Sequence, residues 1–181
     1  MLNRRAFLVG SSLLALGACT AAPTTTLGPD GKPLPRVYRI AQSERDAVQF
    51  RMLDSVNALR AAVGAPPLAF NAALNAAAAT HARDMARQNR PWHFGSDGSS
   101  PVDRVRRVGY PGLLVGETIS ETFETELETL AAWMEQPDTR RIILDRRATD
   151  LGFDWHQESS GKLWWVLEVG AAGLDAAETI F

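Results

Sequence analysis

The sequence predicts an α+β domain in which one sheet is held between two helical layers, a three-layer α-β-α sandwich. Three observations point there. Two long helical patterns, from Ser43 to Gly64 and from Asn71 to Asn89, come before any clear strand signal. Leu151 to Gln157 and Lys162 to Val169 then alternate as strands around the turn residues Ser159-Ser160-Gly161. In the second of these strands Leu163, Trp165, Leu167 and Val169 share one face while Trp164 points to the other, so both faces of the sheet need a cover.

The chain of 181 residues opens with a segment that reads as targeting rather than fold. Arg4 and Arg5 precede the apolar run Ala6 to Ala18, which is short for a bilayer span. The run ends Leu16-Gly17-Ala18-Cys19, the small-residue pattern of a lipoprotein signal peptide covering 1–18, with Cys19 as the lipidated first residue of the mature chain. Cys19 is the sole cysteine, which excludes an internal disulfide and a cysteine metal cluster. Thr20 follows it in place of the inner-membrane retention aspartate, so the expected destination is the bacterial outer membrane, with the lipid as the membrane partner. Asn3 to Leu8 resembles a twin-arginine export signal, the alternative being an ordinary basic start. Removing 1–18 takes away two arginines and no acids, which carries the formal charge from −2 to −4. A mildly acidic domain has no electrostatic case for nucleic acid. The 163 remaining residues fit one domain, and 45% apolar content suffices for a core.

Residues 19–42, with Thr24-Thr25-Thr26, Pro29-Asp30-Gly31 and Pro33-Leu34-Pro35, lack an apolar period and read as a tether. The domain is expected over 43–181. Ser43 opens the first helix with Glu44 and Asp46 in its first turn. Met52, Val56, Leu59 and Val63 form its inner stripe, and Gly64 with Pro66-Pro67 stops it. Asn71 caps the second helix, whose inner face is Leu74, Ala78, His81 and Met85; its many alanines predict a close neighbour. His81, on that apolar stripe, reads as a core histidine bonded to a backbone carbonyl. Ser96 to Ser100 is a turn cluster, and Ser100-Pro101 starts a short helix to Val108. Its Arg104, Arg106 and Arg107 read as a solvated face rather than an anion site. Leu113 to Ile119 is a short apolar run, read as an irregular or strand-like buried segment that carries Glu117. A third helix is expected from Thr122 to Gln136, with Phe123, Leu127, Leu130 and Met134 inside and Glu124, Glu126 and Glu128 towards its outer side. Thr139 to Leu144 forms a further short helix.

The run Val56-Asn57-Ala58-Leu59-Arg60, then Pro67-Leu68, His81-Ala82-Arg83-Asp84-Met85-Ala86, His93, Asp97 to Pro101, Gly109-Tyr110, Gly116-Glu117, Ala132-Trp133-Met134 and Gly152 to Trp165 resembles the CAP superfamily, also called SCP/PR-1-like, in its bacterial branch. The resemblance covers about residues 45–170 and implies an α-β-α sandwich with a cleft on one side. Family members with a metal site use two histidines and two glutamates. The first histidine matches His93 and the first glutamate Glu117, in Gly-Glu-Thr where Gly-Glu-Asn is usual. The second histidine follows Trp-x-x-Ser-Pro-Gly; here Trp133 to Asp138 stands in that place and the matching residue is Thr139. The second glutamate has no clean match, with Glu135 and Gln136 nearby.

A hydroxyl is a poor zinc ligand, so no metal or other cofactor is expected, although His81 or His156 is a candidate substitute. The cleft is expected to hold His93 and Glu117, with Trp92, Trp133 and Thr139 as further ligand-binding residues. Three functions stay open. One is non-catalytic binding of a lipid, sterol, glycan or protein. A second is hydrolysis, for instance of peptides, with His93 and Glu117 as catalytic base and orienter, for which Ser96, Ser99, Ser100 and Ser120 are nearby hydroxyls. The third is an interaction module with a vestigial cleft. On export, exchanging Arg4 and Arg5 for lysine is expected to block twin-arginine transport; cell fractionation that finds export unchanged overturns that route.

Overall fold

The computed structural model describes residues 37–122 and 124–173, which belong to one compact unit beginning at Val37. Cys19 and the signal segment lie outside the described residues. A short 3-10 turn, Gln42–Glu44, leads into α1, Arg45–Ala62, and the other helices are α2, Ala72–Gln88; α3, Pro101–Arg107; α4, Glu126–Glu135; and α5, Pro137–Ile143. The strands are β1, Ala69–Phe70; β2, Leu113–Thr122; β3, Asp150–Gln157; and β4, Leu163–Ala171. They form one sheet in the order β1-β3-β4-β2, antiparallel except for the β1–β3 pair.

Strand alternation sorts the core into two layers. Leu151, Phe153 and Trp155 of β3 join Leu163, Trp165, Leu167 and Val169 of β4 on one face, where Val48, Met52 and Val56 of α1, Leu130 and Trp133 of α4 and Ile143 of α5 cover them. On the other face Trp164 and Val166 pack on Ala78, Ala82 and Met85 of α2. Phe153 and Trp165 stack at 5.4 Å between centroids. The small side chains of α2 let it come close. Gly152 completes that approach, because a Cβ there would collide with the Leu74 carbonyl carbon and the Asn75 amide nitrogen.

The caps follow local chemistry. Asn71 Oδ1 accepts from the amides of Ala73 and Leu74 at 3.0 and 3.2 Å, and Asn89 ends α2 in the left-handed region at φ 49°. Ser100 and Asp103 form a capping box at the start of α3.

Four expectations need correction. The strand-like segment continues to Thr122, and α4 begins at Glu126 rather than Thr122. Pairing of Thr122 with Leu163 keeps the chain extended, and Thr125 with Glu128 builds the capping box that starts the helix. The phase of α4 changes accordingly: Leu127 is exposed, while Glu126 is buried and accepts from Tyr38 Oη and Arg51 Nε, each at 2.8 Å. The stripe of α1 ends on Arg60, not Val63, which is exposed. Arg60 is fully buried because its guanidinium donates to the carbonyls of Pro66, Ile143, Asp145 and Ala148. Finally, Val37–Ala41 belongs to the folded unit rather than to the tether. Gln157 Oε1 accepts from the Ile40 amide at 3.1 Å and Gln157 Nε2 donates to the Tyr38 carbonyl at 2.7 Å.

Gly152→Ala tests the close approach of α2 to the sheet. Overpacking is expected to cost about 1–3 kcal/mol, read as a lower urea midpoint at unchanged slope; an unchanged midpoint contradicts the contact.

Candidate functional site

The site is built where α2, the loop that follows it, α3 and β2 meet. Asp84, on the last turn but one of α2, folds that loop back by accepting from the Ser96 amide at 2.6 Å and Ser96 Oγ at 2.7 Å. Asp97 Oδ1 accepts from the amide and hydroxyl of Ser99 at 3.0 and 2.6 Å. The loop is thereby held against α3, whose Arg104 turns inward. This overturns its expected place on a solvated face: Arg104 is 5% exposed, because two carbonyls and a buried carboxylate receive it. Its Nη1 donates to the carbonyls of His93 and Ser99 at 2.9 and 3.2 Å, and its Nη2 donates to Glu117 Oε2 at 2.5 Å.

Glu117 stands near the middle of β2 on the α2 side of the sheet, 5% exposed. Its other oxygen, Oε1, accepts from His93 Nδ1 at 2.7 Å. Because the partner is a carboxylate, the proton of the His93 ring is assigned to Nδ1. The His93 side chain is half exposed, and its Nε2 has no hydrogen-bond partner among the described residues. The two residues predicted to meet, 24 positions apart in the chain, therefore do so. Burial pushes the Glu117 carboxyl up, but the hydrogen bond from His93, the Glu168 side chain and the positive charge of Arg104 together outweigh it and hold it below the ordinary range.

Two further groups complete the cluster. His81 is the buried, carbonyl-bonded histidine that its stripe position predicts, with Nε2 3.0 Å from the Trp92 carbonyl. Burial is the main cause that pushes its pKa down, so the ring is neutral with its proton on Nε2 and a bare, buried Nδ1. Its Nε2 is also 3.8 Å from Glu117 Oε1. The second group, Glu168, is absent from the residues that the sequence nominates. It is directly opposite Glu117 in the β2–β4 register and fully buried. Burial first, and the Glu117 charge second, push its carboxyl well above the ordinary range. Two carboxylates have no donor between them, and both Glu168 oxygens lack a donor among the described residues. A proton on Glu168 supplies one. A signal for it exists in the sequence: it is the one acid in the apolar run Leu163 to Val169, at even spacing from Trp164 and so on the same face.

The other expected residues are distributed differently. Trp92 flanks His93 on the loop, half-buried, with its Nε1 donating to Gln88 Oε1 at 2.9 Å, Arg90 at 4.0 Å over its ring and Phe94 at 5.5 Å. Trp133 lies in the opposite core layer and donates to the Ile119 carbonyl at 3.1 Å. Thr139 Oγ1 donates to the Trp133 carbonyl, and no hydrogen bond or ion pair joins either residue to His93 or Glu117. Glu135 and Gln136 are exposed. Among the candidate hydroxyls, Ser96, Ser99 and Ser100 are bound to Asp84, Asp97 and Asp103, and Ser120 projects from the sheet face opposite to Glu117. His156 is on β3, beside Arg45 and Arg83 rather than in this cluster.

The donor set does not fit the zinc site that the family resemblance implies. Glu117 has one oxygen on a guanidinium and the other on an imidazole, burial and the Glu117 charge push the Glu168 carboxyl well above the ordinary range, and the residue in place of the second histidine bonds a carbonyl. Arg104 supplies the positive charge beside Glu117 that a metal ion would otherwise bring.

The fold and this cluster define a CAP domain of bacterial type, an α+β sandwich with a histidine–glutamate pair on one side. The chain belongs to the cysteine-rich secretory protein (CAP) family, which it matches over residues 53–169. It is 28% identical to the uncharacterized protein YkwD of Bacillus subtilis over 124 residues, which are 68% of this chain and 48% of that relative, so this chain spans about half the length of YkwD. Among solved structures it is similar to an outer surface protein of Borrelia burgdorferi, with a TM-score of 0.65 at 15% identity over 75% of this chain and 98% of that one. It is equally similar to an extracellular SCP-domain protein of Bacillus anthracis, with a TM-score of 0.65 at 19% identity over 74% of this chain and 45% of that one. At these identities the structural likeness concerns the fold.

The raised Glu168 carboxyl has a consequence for stability. Above the pH at which an exposed glutamate titrates, the unfolded chain has released a proton that the folded chain keeps, so stability falls as pH rises through the higher, folded pKa. Glu168→Gln is expected to flatten that decline, in urea melts between roughly pH 4 and 9. Parallel profiles for the two proteins contradict a protonated Glu168.

Proposed function

We propose that the protein is a cell-envelope lipoprotein, anchored through Cys19, whose CAP domain binds a small apolar or glycan ligand, or a protein partner, at the His93 lip without chemistry. The observation that carries this reading is that Glu117 is consumed internally. With one oxygen on Arg104 and the other on His93, it braces the loop on which His93, Trp92 and Phe94 stand. Phe94 is 46% exposed and the His93 ring half exposed, so the lip offers aromatic faces beside one free imidazole nitrogen, groups suited to stacking on a sugar ring or an apolar ligand. The envelope location is supported by the Borrelia and Bacillus anthracis neighbours, an outer surface protein and an extracellular protein.

A second reading, hydrolysis, is favoured by the same pair: His93 with a carboxylate on Nδ1 and a free Nε2 has the arrangement of a base and its orienter. Among the described residues no hydroxyl is hydrogen-bonded to that ring, so water would be the nucleophile.

Mass spectrometry of material extracted from native protein, followed by lipid and glycan arrays, tests the binding reading. The expected result is a retained or captured small molecule whose affinity falls about tenfold in Trp92→Ala and His93→Ala, the size of one lost aromatic contact. No ligand in any preparation and no array signal overturn it. Turnover of a peptide or ester panel that disappears in His93→Ala establishes the hydrolase instead.

A further inference from the structure

At the far end of β3 from Gly152, lined by none of the residues of the His93 cluster, a second hollow of about 440 Å³ opens between the first residues of the folded unit, the start of α1 and α2. Its wall carries Arg39, Arg45, Arg83 and His156, basic groups from four separate elements in a chain whose formal charge is −2. Among the described residues two acids stand near them, and each has partners of its own. Asp154, fully buried beneath the hollow, is paired with Arg45 and accepts from Asn75 Nδ2 at 3.2 Å and the Trp155 amide at 2.7 Å. Glu158 accepts from Trp164 Nε1 at 2.8 Å. Arg39 and Arg83 have no ion pair among the described residues: Arg39 donates to the Ser159 carbonyl at 2.9 Å and Arg83 makes a single 3.5 Å contact with Thr80.

The hollow is held in place by the fold. Gln157 spends its whole amide on Tyr38, Ile40 and Gly161, which pins the segment carrying Arg39 to β3. Gly161, at φ 98°, leaves room for Val37, whose side chain occupies the place where a Cβ would be. Arg45 lies 5.0 Å over the Trp155 ring, so that its position is set by stacking as well as by Asp154. Arginines that three separate elements contribute to one space can donate to the several oxygens of a phosphoryl group from more than one side.

We propose that this hollow is a binding site for the phosphoryl group of a phosphate ester, gripped by Arg39 and Arg83 with His156 beside them. The volume accommodates the phosphoryl group with a small organic substituent. That chemistry has two sources, the headgroup of an anionic phospholipid and a free phosphate ester. The headgroup is favoured by connectivity, since Arg39 is 20 residues along the chain from Cys19, the proposed lipid anchor. The site is independent of the His93 lip and of whether any ligand binds there.

The test uses the full-length chain in non-ionic detergent, as wild type, as the double variant Arg39→Ala/Arg83→Ala and as the control Arg141→Ala, an exposed arginine on α5. Isothermal titration with inorganic phosphate at low salt is expected to give saturable binding to wild type and control that weakens at least tenfold in the double variant. Matching near-ultraviolet spectra show that all three are folded. No saturable phosphate binding by wild type, or equal binding by the double variant, overturns the proposal. A second arm compares vesicles of one part phosphatidylglycerol to three of phosphatidylcholine with phosphatidylcholine alone. The anchor segment contributes equally to all variants, so only the phosphatidylglycerol preference is read. A preference lost in the double variant identifies the headgroup as the source. Arginine-dependent phosphate binding without such a preference identifies a free phosphate ester.

Discussion

A carboxylate buried near the middle of β2 organises one whole side of this domain. Glu117 is out of water and therefore needs a full set of partners. Arg104 and His93 supply them, and each brings a segment with it: Arg104 brings α3, and His93 brings the loop after α2. Arg104 then closes the circle by holding the His93 and Ser99 carbonyls. Removing one member of such a pair leaves an uncompensated buried charge, a loss of order 3–5 kcal/mol. The loop geometry is thus a consequence of charge compensation more than of loop propensity.

The same carboxylate sets the protonation of its neighbours. Glu168 faces it across the ladder, and two adjacent buried carboxyl groups cannot both ionise cheaply. The arginine and imidazole favour the negative charge on Glu117, which leaves the proton on Glu168. His81, further in, stays neutral through burial. One negative charge, one guanidinium and two shielded neutral groups make a cluster that is nearly balanced in itself. That balance explains how so polar a centre persists under α2, and why the position of a second metal-binding histidine can be taken by Thr139, which serves the α4–α5 corner instead.

Elsewhere the fold uses backbone carbonyls to immobilise arginine. Arg60 is completely buried and, among the described residues, has no carboxylate within hydrogen-bond reach; its guanidinium joins the end of α1 to the stretch between α5 and β3. Gln157 does the equivalent at the opposite end with the segment from Tyr38 to Ile40. These two clamps hold the α1 layer to the sheet at both ends, while the stacked Phe153 and Trp165 fill the space between.

Much of this was legible in the residues. Periodicity located α1, α2, β3 and β4, and strand alternation separated Trp164 from Trp165, because the side-chain directions of a regular element follow from its period alone. Capping chemistry placed Asn71 and Ser100, since a cap is satisfied within three residues. The resemblance to the CAP superfamily, carried by the order of many motifs, paired His93 with Glu117. What a local pattern cannot contain is a partner from far away. The start of α4 depended on Thr122 pairing with Leu163, the burial of Arg104 on a carboxylate 13 residues on, and the role of Glu168 on a cross-strand register. The sequence by itself determined the layers, because periods, caps and turns are settled within a few residues, and its family-like order of motifs nominated the two central residues of the site. Only the tertiary structure decided which charges are buried, protonated or paired, because the energy of a charge depends on every element packed around it.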